Sequence, residues 1–381
     1  MVSCMSTLCR ALAAQGVDVT VYTTNASGAD RPLDVPINQP VELGGVNVWY
    51  FKSTFGPKSG FYSIGLIKKL KKTVGSFDVI YISAIWQWLG IETAKVCRDA
   101  KAAMIIGTHG SFSKSLMGKS ALKKRLYLSL FLKKAIQGAS AIHITTFSER
   151  NDAAGFFDGM LTFVVPNAVD PQKFHPLPGG RERFRNRHGI PANVPVLVTI
   201  GRPDWMKRND LLIKAIARYR NWRLVVVGAD TEGMALQWKA LASALGVHDR
   251  VVWTGPLYGD ELLEALTAAD FFALVSENEN FGMVVVEALM CGLPVMLSKD
   301  VGVWESIKDE KFVMTVEKTE GSVAQCLGDF ERWSMSAARP DYSAREAAIK
   351  SFSPRVVAGR FIKEISAFAK RGNEPLNSSE I

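Results

Sequence analysis

Two short charged stretches hold the side chains best suited to chemistry. In the first, Gly201-Arg202-Pro203-Asp204-Trp205-Met206-Lys207 follows an apolar run and opens a helical pattern. A glycine at a strand's carboxyl end permits close backbone approach, and cations on either side of a turn can converge on a diphosphate. Taken alone, the same residues read equally well as surface charges on a loop. In the second, Ser276-Glu277-Asn278-Glu279-Asn280-Phe281-Gly282-Met283 leads into a helix that carries Glu287. A helix beginning at Phe281-Gly282 offers free backbone N–H groups and a positive dipole end, both suited to phosphate. Glu279 before that start and Glu287 within the helix can accept hydrogen bonds from sugar or ribose hydroxyls. The plainer alternative makes Glu279 a helix cap and Glu287 a solvated residue. Val284-Val285-Val286 and Ala288-Leu289-Met290 flank Glu287, however, and a carboxylate in so apolar a helix is costly without a partner.

Elements able to position these groups follow from length and pattern. The 381 residues suit about two domains, and 48% hydrophobic with 22% charged is ordinary globular composition. Short apolar runs at 17–22, 79–82, 104–106, 141–144 and 163–165 alternate with polar or helical stretches, after an opening helical pattern on which Met5, Leu8 and Leu12 share a face. A second alternation has strand candidates at 194–200, 223–227, 250–254, 271–275 and 294–297, with helical patterns between them. Strands alternating with helices imply parallel pairing through crossovers, hence α/β architecture with doubly wound sheets. The Pro- and Gly-bearing segment 171–180 reads as the connection, giving expected domains at 1–178 and 179–353. Residues 354–381 form a final helix, with Val357, Phe361, Ile365 and Phe368 on one face to pack back on the domains, and a polar tail.

Cys4, Cys9, Cys97, Cys291 and Cys326 are odd in number, far apart and free of any C-x-x-C pair, against both a disulfide framework and a zinc site. The five histidines have no ligand spacing, and no two aspartates are separated by one residue. No metal is expected. No apolar run is long enough to span a membrane, and the first ten residues lack a signal peptide's basic and apolar regions. The expected compartment is cytoplasmic. Residues 1–170 carry 19 Lys and Arg against 11 Asp and Glu, almost all of the net charge of +9. From Lys114 to Lys134 there are seven cations and no acid, interleaved with Leu116, Met117, Leu122, Leu126, Leu128, Leu130, Phe131 and Leu132. Such a stretch, with Lys68, Lys69, Lys71 and Lys72, fits an anionic membrane surface or a core helix with a solvated basic face about equally well. Nucleic acid is a weaker reading because no recognition module accompanies the charge.

The order and spacing of several motifs resemble the retaining family 4 (group 1) glycosyltransferases of GT-B fold. The residues that carry the resemblance are Glu279 and Glu287 with seven residues between them in E-x7-E, Phe281-Gly282, Glu287-Ala288, Gly292-Leu293-Pro294-Val295, Gly201-Arg202 with Lys207, Asn167-Ala168-Val169-Asp170 with Phe174, and His109-Gly110. The resemblance implies two Rossmann-like domains facing a central cleft. It implies Arg202 and Lys207 on the donor diphosphate, Glu287 on the ribose, Glu279 on the transferred sugar, and Gly201, Phe281, Gly282 and Met283 lining the donor site. His109 belongs near the sugar. It further implies front-face transfer of a hexose from a nucleotide-diphosphate sugar to a glycan or lipid-linked acceptor in polysaccharide or lipopolysaccharide biosynthesis, with no cofactor and no metal.

The pattern also departs from the family's. Residues 1–16 read as the helix that follows the family's first strand and Gly-Gly loop, so that strand and loop are expected to be absent, with weak or no activity as a consequence. Gly44-Gly45 is no substitute. The competing reading is a noncatalytic relative that binds nucleotide sugar or a partner enzyme; intact Arg202, Lys207, Glu279 and Glu287 favour catalysis. A dinucleotide-dependent oxidoreductase is disfavoured because no G-x-G-x-x-G follows a strand.

Overall fold

The computed structural model describes residues 2–27, 32–54, 62–83, 85–112, 131–231, 233–336 and 343–369. The chain divides into two compact units, Met1–Ala168 with Pro354–Ile381, and Val169–Ser353. This division falls ten residues before the boundary expected at 178/179. Arg345 donates to the carbonyls of Pro171 (3.0 Å) and Phe174 (2.8 Å), and the Val169 N–H pairs with the Phe352 carbonyl (2.9 Å). Phe174 and Leu177 pack against the second unit's core. The Pro- and Gly-rich composition marks irregular backbone there, and irregular backbone can still be fixed by side-chain donors.

In the first unit, β1 (Val19–Thr24), β2 (Pro40–Glu42) and β3 (Val46–Phe51) form one sheet, with β3 parallel to β1 and antiparallel to β2. The strands β2 and β3 were not anticipated, although Val46 and Val48 point inward about an exposed Asn47, the alternation of a half-buried strand. Gly44 and Gly45 make the turn between them. A second sheet holds β4 (Ile80–Ile82), β5 (Met104–Gly107), β6 (Ala141–Ile144) and β7 (Thr162–Val164), all parallel and in chain order. The helices Val2–Ala13 and Pro354–Ala369 lie together over this sheet. Leu8, Ala11 and Leu12 join Val357, Ala358 and Phe361 in one core with Ile105, Ala141 and Phe163. The final helix is therefore part of the first unit. Within the segment from Lys114 to Lys134, residues 114–130 lie outside the described residues.

The second unit is a six-stranded parallel sheet in the order β10-β9-β8-β11-β12-β13. Its strands are β8 (Val196–Ile200), β9 (Arg223–Val227), β10 (Val251–Gly255), β11 (Phe271–Leu274), β12 (Val295–Ser298) and β13 (Val313–Val316). Helices cover both faces, so the strands are continuous apolar runs rather than alternating ones. Val196, Val198, Phe272 and Leu274 enter one core; Leu197, Phe271 and Ala273 enter the other. After β10 the chain returns to the opposite side of β8 to lay down β11. The loops leaving β8 and β11 are consequently neighbours at the sheet's carboxyl edge, where open α/β sheets bind ligands.

Phe361 is 4% exposed and meets Tyr81 and His143 edge-on at 5.7 and 5.2 Å. Phe361→Ala should cost the first unit about 3–5 kcal/mol. Calorimetry should show one transition moving down while that of the second unit stays in place; a common shift of both would count against this packing.

Candidate active site

The β8 strand ends at Ile200, and the backbone then turns through Gly201 at φ 153°. Its neighbour β9 ends at Val227 and is followed by Gly228, where a Cβ would stand 2.0 Å from the Gly201 carbonyl oxygen. Glycine at 228 is thus what lets the two strand ends converge. Asp204 caps the following 3-10 turn, accepting from the Met206 N–H at 2.6 Å, and this turn aims Lys207 across the sheet edge. Lys207 forms an ion pair with Glu279 on the loop after β11. Arg202 is exposed and makes no ion pair among the described residues.

The Glu279 backbone is fixed as firmly as its side chain. Its N–H donates to the Asp300 carbonyl (3.0 Å) and its carbonyl accepts from the Gly302 N–H (2.9 Å), a short parallel bridge beyond β12. Gly282 then starts the helix Met283–Met290 at φ 84°, with no side-chain cap; a Cβ there would stand 2.7 Å from Val301 Cγ1. Phe281, expected among the donor-binding residues, turns its ring into the core, where it is 3% exposed and packs edge-on against Phe352 at 6.2 Å. Its role is to anchor the helix start. Glu287 lies one turn along, half-buried, its side chain with no hydrogen bond or ion pair among the described residues, and burial pushes its carboxyl up to about 7.

A second set of charges braces this loop. Arg208 sits in the left-handed region at φ 47° and reaches Asp210 at 3.1 Å and Glu277 at 2.5 Å. Lys318 binds the other Glu277 oxygen at 2.8 Å and Asp300 at 2.7 Å. The Lys318 and Arg208 hydrogen bonds hold the Glu277 carboxyl below its ordinary range. The Glu277 N–H meanwhile donates to the Met206 carbonyl at 2.7 Å, so the two loops are also joined through backbone.

In the first unit, His109 follows β5 at φ 45°. The buried carboxylate of Glu149 ties down the turn around it, accepting from Thr108 Oγ1 (2.6 Å), the Gly110 N–H, the Thr145 N–H (3.0 Å) and Thr145 Oγ1 (2.8 Å). His109 Nε2 lies 3.0 Å from the Tyr81 hydroxyl. Burial lowers the His109 pKa, with Glu149 offsetting part of the shift.

Two family models match the chain, one per unit. Residues 1–173 match "Glycosyltransferase Family 4" and residues 180–343 match "Glycosyl transferases group 1". The chain belongs to the group 1, family 4 glycosyltransferases. This glycosyltransferase is 25% identical over 311 residues to the D-inositol 3-phosphate glycosyltransferase of Mycolicibacterium smegmatis, across 78% of this chain and 70% of that one. Its fold matches Anabaena Alr3699/HepE in complex with UDP and glucose (TM-score 0.68, 21% identity, 85% and 87% of the two chains) and sucrose-phosphate synthase of Thermosynechococcus elongatus (TM-score 0.70, 19%, 94% and 92%). It is the GT-B fold of two parallel-sheet α/β domains.

Within the glycosyltransferase, the sequence motifs locate Gly201, Lys207, Glu279 and Gly282 at adjoining strand ends. They do not reveal Gly228, Arg208, Glu277, Lys318 or Asp300. A glycine closing the apolar run of β9 was a visible signal for Gly228; the bracing charges come from four separate segments and leave none. Among the described residues no group of His, Cys, Asp and Glu is placed to hold a metal ion, and no helix is long and apolar enough to cross a membrane.

The raised Glu287 pKa fixes a sign. Between the ordinary value of 4.5 and about 7 the folded state binds the extra proton, so stability falls as pH rises through that window. Glu287→Gln should match the parent near pH 4.5 and exceed it by about 2–3 kcal/mol at pH 8, as read from denaturant midpoints. Equal stability at pH 8 would show that the carboxylate is already compensated.

Proposed function

We propose that this glycosyltransferase moves a hexose from a nucleoside-diphosphate sugar to a glycan or lipid-linked acceptor with retention at the anomeric carbon. The observation that carries this reading is the Lys207–Glu279 pair beside the uncapped helix start at Gly282, where β8 and β11 end side by side. A diphosphate is dianionic or more. It fits a site with two cations, Arg202 and Lys207, beside a helix start at Gly282 that carries no side-chain cap. Lys207 and Arg202 would neutralise charge as it develops on the leaving diphosphate, which is electrostatic rather than covalent catalysis. Those protein cations take the part a metal plays elsewhere, so the reaction requires neither metal nor cofactor.

The half-buried Glu287 supports assignment to the donor ribose. Its carboxylate has no donor among the described residues, and two vicinal hydroxyls would supply them and favour ionisation. Glu279 is assigned to hydroxyls of the transferred sugar. There it also holds Lys207 in place until the diphosphate arrives. On the first unit His109 is assigned to a substrate hydroxyl. HepE binds UDP and glucose, which supports a nucleotide-sugar donor of this class.

For the acceptor, the M. smegmatis relative acts on D-inositol 3-phosphate, and a structural neighbour, WaaG, is involved in lipopolysaccharide biosynthesis. The second supports surface glycan assembly, whereas the first is named for a small polar inositol phosphate. The helix Ile64–Thr73 buries Leu66, Ile67 and Leu70 and turns Lys68, Lys71 and Lys72 outward. Its contribution to an anionic membrane surface would be purely electrostatic, sensitive to salt.

The test is nucleoside diphosphate release from UDP-, GDP- and ADP-sugars with candidate acceptors. One donor should be turned over, and Lys207→Ala or Glu279→Ala should lower kcat about 10²–10³-fold. Glu287→Ala should act chiefly on donor KM. Failure of every donor to bind would sink the reading.

A further inference from the structure

The first unit contains a hydrogen-bonded chain whose polarity is forced by its chemistry. His143 Nε2 lies 2.8 Å from the Val165 carbonyl oxygen, His143 Nδ1 lies 2.8 Å from the Tyr81 hydroxyl, and that hydroxyl lies 3.0 Å from His109 Nε2. A carbonyl oxygen only accepts, so His143 Nε2 carries a hydrogen. His143 is 2% exposed, stacked on Phe163 and edged by Phe361, and burial drives its pKa down to about 3. It is therefore neutral, and its Nδ1 is bare. Tyr81 has one proton, held above its ordinary pKa by burial and then by Glu149, and must give it to His143. The Tyr81 oxygen can then only accept, and the donor available is His109 Nε2–H.

The surrounding backbone is cut to this chain. At Gly107, a Cβ would stand 1.9 Å from the Tyr81 hydroxyl and 2.9 Å from His109 Nε2. Glu149 anchors Thr108 and Gly110 on either side of His109, which sustains the left-handed backbone that non-glycine residues rarely adopt. We propose that Tyr81 and His143 are positioning residues that lock His109 as its Nε2–H tautomer, so that the half-buried ring presents Nδ1 as a hydrogen-bond acceptor to a substrate hydroxyl. This rests on the assignment of His109 to substrate made above. It adds a selectivity: a bare imidazole nitrogen accepts from a sugar hydroxyl and repels a phosphate oxygen, which has no proton to offer at neutral pH.

The experiment uses the full chain labelled with ¹⁵N-histidine, with His109 resonances assigned by their loss in His109→Ala. The free protein should show a protonated Nε2 and a bare Nδ1 at His109, and Tyr81→Phe should abolish that preference. In transfer assays Tyr81→Phe should lower kcat about 10–100-fold, with nucleotide affinity unchanged, and should cost nothing further in the His109→Ala background. A protonated Nδ1 in the parent, or a Tyr81→Phe loss equally large without His109, overturns the proposal while leaving His109 a substrate contact. If His109→Ala leaves transfer intact, the substrate assignment falls, and the proposal with it, whatever tautomer is found.

Discussion

Everything at the proposed donor site depends on β8 being hydrogen-bonded to β11 as well as to β9. The chain builds outward from β8 to β10 and then comes back to start again on the other side. Two loops that are remote in sequence must leave the sheet side by side. One is cationic and the other acidic, so the free protein satisfies each with the other. Helix dipole, glycine and carboxylate reach the same edge because parallel strands all deliver their carboxyl ends there.

Charge balance in the unliganded site follows from that proximity. Lys207 and Glu279 are each mostly shielded, with side chains 17% and 27% exposed, and neither would be well placed alone. Arg208, Glu277, Lys318 and Asp300 form a separate alternating set that ties the 3-10 turn to the acidic loop and to the segment beyond β12. Individually such partly exposed pairs contribute little, and their value lies in fixing geometry. A left-handed arginine costs roughly 1–2 kcal/mol, which the side chain's two carboxylate partners offset. In the proposed reaction, donor binding exchanges charges already present: the diphosphate would take over Lys207, and Glu279 would turn to hydroxyls.

The sequence was most informative where backbone constraint and chemistry coincide. Gly201, Gly282 and the apolar helix around Glu287 all signal through residue type alone, because each violates what an ordinary strand or helix would contain. Phe281 shows the complementary case: it sits within the same motif, and its ring fills the core so that Gly282 can turn. Around residue 178 composition reports irregular backbone and not which core that backbone joins, a matter decided by Arg345 from far along the chain. Tyr81 and His143 were invisible for the same reason. A tyrosine in a short strand and a histidine in a fully buried one have no meaning until β4, β5 and β6 pair in register.

The return of the helix Pro354–Ala369 to the first unit makes the second unit an insertion in the first. Val169–Ser353 is one uninterrupted segment and has all its core residues once residue 353 is made. The first unit has not: Val357, Ala358 and Phe361 are among the last core residues to leave the ribosome, and they close a core begun by Leu8. The unit synthesised first is therefore the one finished last. Its longest-range contacts span nearly the whole chain, so the ordering of Tyr81 and His143 waits on the helix Pro354–Ala369, while the second unit can assemble ahead of it.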